Sequence, residues 1–183
     1  MEACVAPQYE KKWYVLRDLK RPMAKERAWQ QLEKENMEVF TPKKWVIGME
    51  HGKRMPKEVA LIPDLLFVHE TREVLDPIIE CTETLQYRFR KYGVQNEPLV
   101  VPDADMERFI SVVEASESPK YYSLQEITPE MCSRRIRIIG GSLNGHEGFL
   151  LTTRGSKNKR LLVFLQNMIA ASVVVSPDYI QLL

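Results

Sequence analysis

The residue types that most often carry chemistry are few and scattered in this chain of 183 residues. The three histidines, His51, His69 and His146, lie in different segments, and none has a second histidine three or four residues away to hold a metal. The three cysteines are far apart and form no CxxC pair, which indicates free thiols in a reducing compartment. The sequence therefore predicts no metal site, no disulfide framework and no cofactor.

A glycine-rich segment, IRIIGGSLNGHEGFLLTT at residues 136–153, has the most distinctive spacing in the chain. The residues that define it are Gly140, Leu143, Gly145 and Gly148. A phosphate-binding loop would lead into a helix, whereas this segment leads into the strand-like FLLTT. No nucleophile, nucleotide or P-loop motif occurs elsewhere, and nothing pairs the acidic residues of 58–116 as catalytic groups. We therefore expect no catalytic residues and no enzymatic activity.

Charge is segregated along the chain although the formal net charge is only +1. Residues 11–57 hold 13 basic and 6 acidic side chains, residues 58–116 hold 5 and 12, and residues 131–160 hold 7 and 1. This pattern favours nucleic acid docking on the basic segments, although the charges also fit ordinary solvated surfaces. No apolar run reaches the ~20 residues of a membrane span, and no secretory leader is visible. We expect a cytoplasmic protein with no membrane partner.

Hydrophobic periodicity predicts an α+β protein in which helices pack on an antiparallel sheet. The expected order over 11–116 is strand, helix, two strands, helix, strand, helix. Residues 117–130 contain two prolines among polar residues and are expected to form a linker. From 131 to 183, short strands separated by glycine turns predict a small β-barrel. The predicted domains are therefore 11–116 and 131–183.

Two separate regions resemble the NusG/Spt5 family of transcription factors. The four residues that define the glycine-rich segment resemble the KOW motif of that family. Residues 12–16, KWYVL, and 61–68, LIPDLLFV, resemble the first and third strands of its N-terminal (NGN) domain. Asp64 and Leu65 replace the glycine and aromatic residue of general members, and Ser142 replaces a common proline. With residues 97–110, these departures make the chain most similar to UpxY-type antiterminators of surface (capsular) polysaccharide operons.

The resemblance implies an elongation and antitermination factor whose NGN domain binds the clamp of RNA polymerase and suppresses pausing and termination. A projecting helical tip of the clamp would enter an apolar concavity. The matching positions for that contact are Tyr14, Ile62, Leu65 and Phe67. The alternative is that these side chains simply belong to the core of the sheet.

The resemblance also implies contacts with upstream or non-template DNA and with nascent RNA. The candidate residues are Arg17, Lys20, Arg21, Lys53 and Arg54, whose charges would contact phosphates. Solvated surface charge is the alternative interpretation for each of them.

The C-terminal KOW domain would bind a ribosomal protein, a termination factor or RNA. Its basic cluster comprises Arg134, Arg135, Arg137, Lys157, Lys159 and Arg160. This cluster leaves a second function open, namely a KOW-type RNA-binding or ribosome-associated protein. No aromatic platform interleaves the cluster, so base stacking is not expected there.

Overall fold

The computed structural model describes residues 10–21, 24–50, 52–92, 95–132, 134–152, 158–166 and 168–183. The chain divides into two compact units, with the boundary between Pro102 and Asp103. The sequence placed this boundary in residues 117–130. The difference arises because the last α-helix, α3 (Asp103–Glu114), groups with the C-terminal strands rather than with the N-terminal sheet.

The N-terminal unit is built on a five-stranded antiparallel sheet in which β1 is central. β5 pairs with one edge of β1, β2 extends the sheet beyond β5, and both β6 and β9 pair with the other edge of β1. These strands are β1 (Lys12–Asp18), β2 (Glu38–Phe40), β5 (Leu66–Glu70), β6 (Leu85–Tyr87) and β9 (Val100–Val101). Two hairpins lie outside the sheet: β3 (Lys43–Glu50) with β4 (Lys53–Ala60), and β7 (Phe89–Tyr92) with β8 (Gln95–Pro98).

Helices α1 (Ala28–Lys34) and α2 (Arg72–Cys81) pack on one face of this sheet. Side chains alternate between the two faces of a strand, so Tyr14 and Leu16 of β1 face the helices together with Leu66 and Val68 of β5. The core cluster that they form is completed by Ala28, Trp29, Leu32, Leu75, Leu85 and Tyr87.

The C-terminal unit is an antiparallel six-stranded sheet with the helix α3 (Asp103–Glu114) packed on it. The strands follow the order β10-β14-β13-β12-β11-β15. Their bounds are β10 (Lys120–Ser123), β11 (Arg135–Ile138), β12 (Glu147–Thr152), β13 (Lys159–Leu165), β14 (Ile169–Val175) and β15 (Ile180–Leu182). The buried residues of α3 are Met106, Phe109, Val112 and Val113.

The predicted α+β class with antiparallel sheets is confirmed. Within the described residues, however, β10 and β15 remain the two edges of the C-terminal sheet, so closure of the predicted barrel is not confirmed. Residues 117–130, expected as a linker, contain β10, which pairs with β14. Strands β2 and β3 are separated at Thr41 and Pro42, because proline lacks the N–H that a continuous ladder needs.

Candidate functional site

Three arginines fix the turn that precedes β5. Nη2 of Arg27 donates to the carbonyl oxygen of Pro63 at 2.5 Å. Nη2 of Arg88 donates both to the carbonyl oxygen of Asp64, at 3.1 Å, and to its carboxylate, at 2.9 Å. Nη2 of Arg17 lies 3.7 Å from the same carboxylate. These contacts attach the turn to parts of the chain that are distant in sequence. They therefore hold Ile62, which the turn carries, in a defined position.

The four predicted polymerase contacts do not form one surface. Tyr14 belongs to the helix-facing core, whereas Phe67 pairs with Val15 on the opposite face of the sheet. Leu65 and Phe67 are 4% and 0% exposed, so both serve the packing of the unit. Ile62 is the member of the set that stays partly exposed.

Tyr14 lies in a polar cluster beneath α2. Burial raises the pKa of its phenol, and Arg72, Asp76 and Glu73 act on it more weakly. The neighbouring Tyr87 donates its hydroxyl proton to the carboxylate of Asp76 at 2.7 Å, and burial is the main cause of its raised pKa. These contacts give Tyr14 a structural environment rather than a docking surface.

The basic segment after β1 is anchored through Asp18. The buried carboxylate of Asp18 accepts hydrogen bonds from the backbone N–H groups of Lys20, at 2.9 Å, and Ala28, at 3.1 Å. Nε of Arg27 lies 3.0 Å from this carboxylate. The start of α1 is thereby tied to the end of β1, and a buried ion pair with several hydrogen bonds avoids the cost of an unpaired charge.

Two of the three predicted DNA contacts in this segment already have protein partners. Arg17 lies beside Asp64, and the ammonium group of Lys20 donates to the side-chain oxygen of Gln31 at 2.6 Å. Arg21 is exposed and has no ion-pair partner among the residues that the structure describes. Arg21 is therefore the cation of this set that is available to a phosphate.

The β3–β4 hairpin presents further free cations. Lys53 and Arg54 follow its turn, are exposed, and have no ion-pair partner in the described part of the chain. One face of the hairpin also exposes three large apolar side chains: Trp45 at 70%, Ile47 at 77% and Met49 at 70%. Sequence reasoning missed this face, although alternation in KKWVIGME was a signal for it.

The glycine-rich segment adopts the tight turn that its spacing predicts. Gly145 has φ +83° and donates its N–H to the carbonyl oxygen of Ile138 at 2.7 Å. At Gly148, a Cβ atom would lie 2.3 Å from the carbonyl oxygen of Leu162, so only glycine allows β12 and β13 to approach this closely. Gly140 also has a positive φ, at +138°, and Leu143 is buried. All four residues that define the segment therefore have structural roles: they form the turn, fill the core or allow two strands to approach.

The basic cluster of the C-terminal unit is dispersed in the structure. Arg160 is buried and donates to the hydroxyl of Ser172, at 2.8 Å, and to the carbonyl oxygen of Ser118, at 3.0 Å. Arg137 and Arg135 share Glu147, at 2.5 and 3.6 Å, and the hydrogen bond from Arg137 is the largest of the causes that lower the pKa of this carboxyl. Arg134 is exposed, Lys159 is half-buried, and Lys157 lies outside the described residues.

Arg88 is a site residue that sequence reasoning missed. Apolar Leu85, Tyr87 and Phe89 alternate with polar residues, which predicts that Arg88 faces solvent. Nε of Arg88 is nevertheless buried and lacks a hydrogen-bond partner within the described residues. No local signal in the sequence identifies Arg88, because its partner Asp64 lies 24 residues away.

Among the described residues, no cluster of His, Cys, Asp and Glu side chains is arranged to hold a metal ion. Likewise, none of the helices in that part of the chain is long and apolar enough to cross a membrane.

Comparison with known proteins gives one family match. A family model described as "Transcription termination factor nusG" matches residues 11–110. The search of curated proteins found no match. Among solved structures, the chain is similar to the one described as "Domain interaction in Thermotoga maritima NusG", with 16% identity and a TM-score of 0.46. That alignment covers 94% of this chain and 97% of the other.

Proposed function

Because the chain belongs to the NusG family of transcription factors, we propose that it binds RNA polymerase during elongation and suppresses pausing and termination. Proteins of this family typically bind RNA polymerase and are not enzymes. The N-terminal unit would contact the polymerase clamp, and the C-terminal unit would serve as a KOW-type module for a ribosomal protein or a termination factor. The protein would act in the cytoplasm on nascent transcripts.

The observation that carries this proposal is the position of Ile62. Its side chain is partly exposed on a turn that three arginines hold in place. An apolar side chain on a rigid support is suited to anchor a protein contact, since little conformational freedom is lost on binding. Leu65 and Phe67 support this turn from the core.

The proposal includes a specialised role in surface (capsular) polysaccharide operons, which is supported by the sequence departures at Asp64 and Leu65. Asp64 replaces the glycine of general family members, and it is held by Arg88 at 2.9 Å. The ion pair gives a physical reason for Asp64 at this position. It restrains the turn, whereas a glycine would leave the backbone there more flexible. Free cations at Arg21, Lys53 and Arg54 would contact upstream or non-template DNA.

The dispersed basic cluster supports this proposal over a KOW-type RNA-binding protein. Arg160 is buried and Glu147 balances part of the charge of Arg135 and Arg137. The C-terminal unit thus presents less free positive charge than its sequence suggests.

Single-round transcription by purified RNA polymerase through a pause site and an intrinsic terminator tests the proposal. The full-length chain should shorten the pause and raise read-through, whereas Ile62→Asp at the same concentration should do neither. The proposal is wrong if the wild-type chain leaves pausing and termination unchanged on templates from surface polysaccharide operons and on unrelated templates.

A further inference from the structure

One face of the β3–β4 hairpin is rich in apolar side chains, and the hairpin lies outside the sheet of the N-terminal unit. Alternate residues along a strand share a face, and so do residues paired across two strands. The register of the hairpin therefore places one row of β3 beside one row of β4. We call this surface the apolar hairpin face, and it comprises Trp45, Ile47 and Met49 of β3 with Glu58, Pro56 and Arg54 of β4.

The three large side chains that β3 contributes to the apolar hairpin face are mostly exposed. Together they present on the order of 400–500 Å² of surface, and patches of about 300–600 Å² on a monomer are often functional. Removing such a patch from water is favourable, since the gain is proportional to the apolar area that is buried. The face is therefore suited to contact with another protein surface.

The free edge of β4 is poorly suited to accept a further strand. Pro56 lies inside β4 and pairs with Ile47 of β3, and the ladder between the two strands continues on both sides of this pair. Because proline has no N–H, a strand added at this edge would lack a hydrogen bond there. Proline on an edge strand is a common protection against such addition. A contact that uses this side of the hairpin is therefore expected to involve the apolar hairpin face.

Charge is distributed unequally along the apolar hairpin face. Arg54 lies next to the turn, is exposed, and has no ion-pair partner among the residues that the structure describes. At the base of the hairpin, Nζ of Lys43 stands between two carboxylates, 3.5 Å from that of Glu33 and 3.8 Å from that of Glu58. One cation balances only one of these two anions. The turn end of the face is therefore positive, whereas its base end is negative.

This distribution of charge matches a second copy of the same face turned end to end. A two-fold axis through the Ile47–Pro56 pair, at the middle of the face, relates the turn of one hairpin to the base of the other. Arg54 of each copy then lies opposite Glu58 of the other copy, where opposite charges attract. The apolar side chains pack between these two ion pairs, with Ile47 against its own symmetry mate.

We propose that two copies of the chain associate through their apolar hairpin faces as an antiparallel, two-fold symmetric dimer. Two such faces would bury about 800–1,000 Å² in total, less than the roughly 1,200–2,000 Å² of stable complexes. The dimer is therefore transient and forms at concentrations of about 10–100 μM. Because it covers the face, only the monomer offers this side of the hairpin to another partner. The inference goes beyond the proposed function and does not depend on it.

Analytical ultracentrifugation of the full-length chain from about 1 to 300 μM tests the inference. The mean mass of the wild type should rise toward that of a dimer without exceeding it, because a two-fold contact uses up the face. Ile47→Asp sets two carboxylates against each other at the axis and should weaken dimerisation at least about tenfold. Val74→Asp is the matched control on α2, at a position that is 42% exposed, and it should dimerise like the wild type.

Exchanging the charges tests the antiparallel arrangement separately. Arg54→Glu alone and Glu58→Arg alone each place like charges opposite one another in both contacts, so each variant should dimerise at least about fivefold more weakly. An equimolar mixture of the two variants restores both attractive contacts and should dimerise within about threefold of the wild type. Such a rescue requires contact between two molecules, since no change within either variant alone can produce it. These two variants decide the question if circular dichroism shows that Ile47→Asp is not folded.

Four results would overturn the inference. A wild type that stays monomeric at about 300 μM removes the dimer. A dimer that folded Ile47→Asp leaves intact uses a different surface. A mixture that does not regain the affinity lost by the two charge variants rules out the antiparallel arrangement. Growth beyond a dimer indicates open-ended addition of strands instead. RNA polymerase is absent from these measurements, so their outcome is separate from that of the proposed function.

Discussion

At the scale of single residues, Asp64 and Gly148 show how local chemistry sets long-range geometry. Asp64 stabilises a turn only because Arg88, between β6 and β7, and Arg17, on β1, both reach it. Gly148 allows the backbone of β12 to approach that of β13. The glycine was predictable from its spacing within the glycine-rich segment at residues 136–153. The arginine contacts were not, because pairing across 24 residues of sequence leaves no periodic pattern.

Replacing Asp64 with alanine should lower the free energy of unfolding by about 1 kcal/mol. The change leaves the guanidinium of Arg88 without its carboxylate, and partial exposure of the pair keeps the loss moderate. Urea unfolding of the full-length chain measures the effect. Glu80→Ala, an exposed change on α2, is the control, and equal losses in the two variants would contradict this account.

Gly148→Ala should destabilise the C-terminal unit by about 1–3 kcal/mol. The added methyl group would meet the carbonyl oxygen of Leu162 at 2.3 Å, which forces β12 and β13 apart. Gly48→Ala in β3 is the matched control, because its added methyl group would have its nearest neighbour at 3.5 Å. Denaturant unfolding should show a lower free energy of unfolding for Gly148→Ala than for Gly48→Ala. Similar curves would mean that the close approach of the strands does not require glycine at residue 148.

At the scale of elements, the sequence predicted which segments form strands and helices better than it predicted which side chains lie on the same face of the sheet. Alternation along β1 separates Tyr14 from Phe67, which the resemblance had grouped in one surface. The pairing of β10 with β14 was missed because Lys120–Ser123 is short and lies between prolines. Such a strand is stabilised by pairing with its neighbour rather than by a preference of its own residues for strand structure.

The packing of α3 on the C-terminal sheet should depend on pH through His146. Nε2 of His146 lies 3.5 Å from the hydroxyl of Ser111 on α3. Burial lowers the pKa of this imidazole, and the positive charge of Arg108 lowers it further. The unfolded chain thus takes up the proton first, so stability is greatest above about pH 6.5 and falls as the pH drops from there toward the lower pKa of the folded state.

His146→Gln should therefore flatten this dependence. Urea unfolding at about pH 7.5 and pH 5.5 should show a loss at the lower pH that is larger in the wild type than in the variant. The carboxyl of Glu147, whose pKa is lowered mainly by its hydrogen bond with Arg137, titrates below this window. Parallel losses in the two proteins would remove His146 as the cause.

At the scale of the whole molecule, the α+β class and the family were predictable because two separate motifs indicated them. Whether the C-terminal sheet closes into a barrel was not predictable, since the edge strands of an open sheet and of a closed one have the same alternating pattern. The sequence also did not predict which basic side chains stay available to a nucleic acid. The burial of Arg160 and the ion pair of Arg17 depend on contacts that form only in the folded protein. What the structure adds is the partly exposed Ile62 on a fixed turn.

Binding of the full-length chain to RNA polymerase tests the central claim most directly. The wild type should bind, and Ile62→Asp should weaken binding at least about tenfold, equivalent to about 1.4 kcal/mol, because a carboxylate would enter an apolar contact. Val74→Asp, at a position on α2 that is 42% exposed, should bind like the wild type, and circular dichroism should show all three proteins folded. Failure of the wild type to bind, or equal binding by folded Ile62→Asp, would contradict the account.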